Sequence, residues 1–143
     1  MFFWEKQKLI TALYIQYTKP ICEDHGLTQM EYDILMFLND HPELDTAADI
    51  IRSRKLTKSH VSAALKLLRA KGLVRRQEKE TLCRNLHIRL TEKASAVVEA
   101  GKHAREEFLR QIFAGFSPEE ETVFRNFFRR ACDNAEAGLR EAT

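Results

Sequence analysis

Apolar residues recur every three or four positions along almost all of this 143-residue chain, and the spacing changes to every second position only between Leu73 and Leu90. A period near 3.6 marks helices packed on one side, and a period of 2 marks half-buried strands. The chain therefore reads as mainly α-helical with one β-hairpin. Three prolines and five glycines leave little room for long loops. At 44% hydrophobic residues the chain can bury a core and does not have the composition of a disordered one.

Local signals place the elements. Leu9, Ile10, Leu13, Tyr14 and Tyr17 predict a helix from residue 3 to about 18, which Pro20 should end or kink. Phe2, Phe3 and Trp4 precede this stripe. Termini usually fray in water, so three large aromatics there suggest docking on something. After the break at His25-Gly26-Leu27, Thr28 and Glu31 form a capping box ahead of the stripe Met30, Ile34, Phe37 and Leu38, and Asn39 to Pro42 end that helix. A short helix from about Thr46 turns Ala47, Ala48, Ile50 and Ile51 inward, and Arg52 to Lys55 close it. Thr57 is the next N-cap, with Val61, Ala64, Leu65 and Leu68 behind it and Ser59, Ser62, Ala63 and Lys66 on the opposite face.

Gly72 stands where a helix C-terminal glycine belongs. Leu73 to Gln77 reads as extended. Leu86, Ile88 and Leu90 alternate with His87 and Arg89 as a half-buried strand, so the two segments make a hairpin with the polar tip Glu78-Lys79-Glu80-Thr81. Thr91 is expected to cap a long helix with Ala94, Val97, Val98, Gly101, Ala104, Phe108 and Ile112 on one stripe. Ser117-Pro118-Glu119-Glu120 is a second capping box, before a helix carrying Val123, Phe124, Phe127, Phe128, Ala131, Cys132 and Leu139.

The charge is segregated. Arg52 to Lys93 hold 13 of the 23 lysines and arginines and three of the 21 acids, a local charge of +10. The other residues hold ten cations and 18 acids, or −8, so the overall +2 conceals the separation. An ordinary solvated face mixes both signs. A field of this size suits a polyanion, most often a nucleic-acid backbone.

Other classes find little support. No apolar run is long enough to span a bilayer, and the start MFFWEKQKLI has no signal-peptide core. A cytoplasmic protein without a membrane partner is expected. Cys22, Cys83 and Cys132 are odd in number and lack a CxxC, so free thiols are expected. The five histidines show no zinc-like spacing with them. Glu99, His103 and Glu107 share a helix face, as solvated rows commonly do, and no metal or cofactor is assigned. Nucleophile, phosphate-loop and metalloprotease motifs are absent, so no enzyme activity and no catalytic residue is assigned.

Helix, short helix, turn, helix and hairpin in this order make a winged helix-turn-helix. Residues 27 to 115, and more loosely the whole chain, resemble the MarR family of bacterial transcriptional regulators. The resemblance is carried by Gly26-Leu27-Thr28, by LTKSHVSAALKLLRAKGLV from Leu56 to Val74, and by RNLHIRLTEKA from Arg84 to Ala94. The Lys71-Gly72-Leu73-Val74 junction and the Leu90-Thr91-Glu92 exit are its most specific parts. It implies a homodimer whose first and last helices interlock and whose winged helices meet double-stranded DNA. Residues 1–25 then form an N-terminal dimerisation helix, 27–104 the DNA-binding region and 105–143 the C-terminal dimerisation helices, within one compact domain. The aromatic ends, Phe2 to Trp4 and Phe108, Phe113, Phe116, Phe124, Phe127 and Phe128, fit such an interface.

On this reading Lys58, Ser59, Ser62 and Lys66 face the groove, with His60 beside them. Arg75, Arg76 and Arg89 flank the hairpin as phosphate contacts. Arg84 is the wing arginine for the minor groove. Where the family usually places the aspartate that holds it, this chain has Leu82, which leaves Glu78 or Glu80 as its acid. The resemblance also implies an effector, a small aromatic anion or an oxidant. Trp4, Tyr14 and Tyr17 are candidates to line an effector crevice, and they also suit a core. Cys83, beside Arg84, is the candidate redox residue. A winged-helix protein-interaction module and a nonspecific architectural DNA binder stay open as alternatives.

Overall fold

A computed structural model of the chain describes residues 2–77 and 86–141. The described residues form α1 (Phe2–His25), α2 (Gln29–Asp40), α3 (Ala47–Arg54), α4 (Lys58–Ala70), β1 (Val74–Gln77), β2 (His87–Leu90), α5 (Ser95–Ile112) and α6 (Pro118–Glu141), with a 3₁₀ turn at Glu92–Ala94. They fall into two compact units, Met1–Phe108 and Leu109–Thr143. The wing-tip residues Leu82, Cys83 and Arg84, with Glu78 and Glu80, lie outside the described residues.

In the first unit a single apolar core gathers the inward stripes. Ile34 and Leu35 of α2, Ile50 of α3, Val61 and Leu68 of α4 and Val97 of α5 are all fully buried. The caps expected at Thr28 and Thr57 form. Thr28 takes the Glu31 N–H at 3.1 Å, and the Glu31 carboxylate takes the Thr28 N–H at 3.1 Å. Thr46 and Asp49 make an equivalent box for α3. Thr57 accepts from the His60 N–H at 3.3 Å. Gly72, at φ +75°, closes α4 as the left-handed residue of a Schellman motif: the Leu73 N–H reaches the Leu68 carbonyl and the Gly72 N–H reaches that of Arg69, both at 3.0 Å.

Three expectations need correction. The helix expected to stop at about residue 18 runs as α1 past Pro20 to His25. A proline costs a helix one hydrogen bond and a steric clash, but burial of Ile21 and Cys22 just beyond it holds the chain helical. Ala48 is exposed, because only Ile50 of α3 is fully buried. Thr91 makes no side-chain cap. Its hydroxyl instead donates to the Gly72 carbonyl at 2.6 Å and its N–H reaches the Leu73 carbonyl at 3.0 Å, which ties the wing exit to the end of α4.

β1 and β2 pair antiparallel, with Val74 opposite Leu90, Arg75 opposite Arg89, Arg76 opposite Ile88 and Gln77 opposite His87. Between α5 and α2, an added Cβ on Gly101 would fall 2.6 Å from the Met36 sulfur and 2.7 Å from the Tyr32 hydroxyl. An added methyl there would force the Met36 and Tyr32 side chains to shift.

In the second unit Ser117 caps α6 reciprocally with Glu120. Phe113, Phe116 and Phe124 pack edge to face, and Phe124 stacks on Phe128. No residue of α6 is buried within the chain.

Candidate nucleic-acid interface

The helix-turn-helix is α3 and α4. Its turn passes through Lys55 in the left-handed region, at φ 53°, and the Leu56 N–H reaches the Ile51 carbonyl at 3.1 Å. α4 places Val61, Ala64, Leu65 and Leu68 in the core, which leaves Lys58, Ser59, His60, Ser62 and Lys66 exposed. Leu67 is also exposed on this helix. Sequence reasoning did not single it out, since an apolar residue off the buried stripe carries no polar signal.

Nine of the eleven described cations of the basic segment fall into two sets. Arg52 pairs with Asp49 at 2.7 Å, Arg54 with Asp33 at 3.7 Å, Lys71 with Glu31 at 2.7 Å, and Arg89 with Asp45. Lys55, Lys58, Lys66, Arg75 and Arg76 have no carboxylate within 4.0 Å among the described residues. The first set is partly neutralised and holds elements together. The second lies exposed on the helix-turn-helix and on β1, free to meet an anion. Lys58, Lys66, Arg75 and Arg76 belong to this free set, whereas Arg89 is engaged. Ser62 and Arg76 come together on the wall of a groove of about 270 Å³ shared with Thr46, Arg69, Leu86 and Ile88.

Two buried acids make long-range pairs that the sequence reading did not identify. Glu31, 1% exposed, accepts Lys71 Nζ at 2.7 Å, and Lys71 also donates to the Gly26 carbonyl at 2.6 Å. Burial raises the Glu31 carboxyl, but Lys71 and the Thr28 donors outweigh it, and the net shift is downward. Asp45, in the loop before α3, meets His87 Nδ1 at 2.7 Å and the Arg89 guanidinium. Burial opposes its ionisation, and those two partners bring its pKa below the usual carboxylate value. Both pairs join residues at least 40 positions apart, so no local pattern announces them.

The effector candidates do not converge. Tyr14 and Tyr17 border a cavity of about 20 Å³ with Thr18, Tyr32, Gly101 and Arg105, room for about one water. The Tyr14 hydroxyl donates to Asp33 at 2.7 Å, and burial first, then this bond, raises its pKa. Trp4 is exposed and lies against Phe3. Cys22 is buried, and that burial raises its thiol pKa, while Cys132 is exposed.

Fold and surface together define a winged helix-turn-helix protein whose basic face carries cations with no carboxylate partner among the described residues. Residues 25–81 match the model of the MarR family. The chain is 27% identical over 109 residues to the helix-turn-helix-type transcriptional regulator YdgJ of Bacillus subtilis, a match covering 76% of this chain and 66% of that one. It is 28% identical over 106 residues to the homoprotocatechuate degradative operon repressor of Escherichia coli, covering 74% and 71%. Among solved structures the transcriptional regulator SlyA superposes with a TM-score of 0.84 at 17% identity over the full length of both chains. The MepR–DNA complex of S. aureus does so with a TM-score of 0.78 at 19% identity, over 94% and 96%. Over residues 25–81 the chain is similar to the MarR family of transcriptional regulators.

Proposed function

We propose that this chain is a sequence-specific regulator of transcription that binds duplex DNA in the cytoplasm as a homodimer, and that it acts by occupying an operator rather than by catalysis. The observation that carries this reading is the set of five exposed cations on α3–α4 and β1 that have no carboxylate within 4.0 Å among the described residues, in a chain similar to a family of regulators. α4 offers small side chains, Ser59, Ser62 and Ala63, which let a helix approach base edges in a major groove. Lys58, Lys66, Arg75 and Arg76 supply phosphate contacts, and the minor-groove role that the resemblance implies for Arg84 falls outside the described residues.

The dimer reading rests on exposed apolar surface. Phe2 and Phe3 are each 73% exposed in the single chain, and Phe127 is 61% exposed. Covering one such side chain contributes roughly 1.5–3 kcal/mol, so a second copy is favoured. Twofold symmetry then asks for a pseudo-palindromic site with half-sites about one helical turn apart. Control by a small aromatic acid or an oxidant rests on the family. The space beside Tyr14 and Tyr17 holds about one water, so an aromatic acid would enter there only if α1 moved.

Selection of bound duplexes from random DNA tests the reading. Enrichment of a two-part symmetric sequence is the expected result. Retention of DNA without sequence preference would favour an architectural binder, and no retention would favour a protein-interaction module.

A further inference from the structure

Asp45 is a buried acid, 6% exposed, that pairs with residues of the basic segment. Its backbone carbonyl accepts the Ile88 N–H at 2.8 Å. Its carboxylate meets His87 Nδ1 at 2.7 Å through one oxygen and the Arg89 guanidinium through the other. One residue of the α2–α3 loop therefore grips three consecutive residues of β2. Across the hairpin Arg75 stands directly opposite Arg89, a like-charge pairing that destabilises a sheet. Among the described residues Asp45 supplies the only carboxylate within 4.0 Å of either arginine. The next residue, Thr46, is the N-cap of α3, and α3 packs on α4. Asp45 thus links the strand that orients the wing to the helix pair that presents the reading face.

We propose that Asp45 is a positioning residue that fixes the wing against α4, so that the wing and the reading face engage one duplex together. This rests on the DNA-binding reading above. Charge alone makes the opposite prediction: removing an acid beside a DNA-facing surface should tighten binding to every sequence. The sign of the effect therefore separates positioning from electrostatics.

The test compares Asp45→Asn with the unaltered protein in two measurements. In the free protein, amide exchange at Ile88 and at Arg75–Gln77 should quicken at least about tenfold while the interior amides of α4 stay protected. Affinity for a duplex selected from random DNA should fall about tenfold or more although the protein has lost a negative charge, and affinity for an unrelated duplex should stay level or rise. On a His87→Gln, Arg89→Gln background, Asp45→Asn should change neither readout further. If Asp45→Asn unfolds the chain, Asp45→Glu, which keeps the charge and shifts it by one methylene, serves both measurements. Unchanged exchange in the wing overturns the inference whether or not DNA binds. Equal or tighter binding of the selected duplex by Asp45→Asn overturns it as well. If wing exchange responds while the unaltered protein binds no duplex, it is the DNA reading that fails, and the anchoring of the wing by Asp45 stands.

Discussion

α4 and α6 carry the same kind of apolar stripe and meet opposite fates. In α4, Val61 and Leu68 are fully buried by the chain's own α2, α3 and β1. In α6, Val123, Phe124, Phe127, Phe128 and Leu139 all stay exposed. Helical periodicity thus reports that a face is meant to be covered, not by what. The cations divide in the same way: those of one set are held by acids of the same chain, and those of the other are left for something outside it. Free apolar surface asks for a second copy and free cations for a polyanion, and the proposed DNA-binding homodimer satisfies both.

The largest effects should come from breaking the two stripes. Leu68→Ala opens a cavity in the core and should cost about 2–5 kcal/mol, read as a fall in unfolding midpoint that does not depend on protein concentration. Phe127→Ser should leave the core alone and weaken the dimer by about 1.5–3 kcal/mol, roughly ten- to hundredfold in dissociation constant by sedimentation. If Phe127→Ser lowered core stability at every concentration, α6 would not be waiting for a partner. Gly101→Ala follows: Met36 and Tyr32 are both buried, so the added methyl should cost about 1–3 kcal/mol of stability in a denaturant titration.

Lys66→Glu sharpens the comparison from the other side. Lys66 is exposed and touches no acid among the described residues, so stability should stay within about 0.5 kcal/mol. DNA affinity should fall about tenfold, and the log–log salt slope should shrink by about 0.9 for each phosphate no longer neutralised. Unchanged operator binding would mean that α4 does not face the groove.

The smallest effect is in acid. Asp45 and Glu31 both have pKa values below their usual ones in the folded chain. Their contribution is therefore present above the ordinary carboxylate range, near pH 4, and is lost as pH falls through the lower folded-state values. Each proton taken up on unfolding tilts stability by up to about 1.4 kcal/mol per pH unit. Asp45→Asn should flatten this slope in acid titrations of the unfolding midpoint.

Much of the fold was legible because its signals are local. Thr28 with Glu31 and Ser117 with Glu120 sit three residues apart, Gly72 ends a visible stripe, and alternation marks β2. What stayed hidden depends on distant partners. Nothing near Asp45 or Lys71 in sequence names His87, Arg89 or Glu31. Pro20 misled because the core that carries α1 past it is assembled from other elements. Thr91 has the composition of a cap, but its hydroxyl is taken by Gly72, which precedes it by 19 residues. The outer face of α4 could be read from its own stripe, whereas the engagement of Arg89 could not be.

The claim that unpaired cations of a paired molecule meet a phosphate backbone is tested most directly by the salt dependence of binding to a selected duplex. If a dimer engages six or more phosphates, log K should fall against log salt with a slope of about −5 or steeper. A slope near zero, with binding intact, would contradict the account.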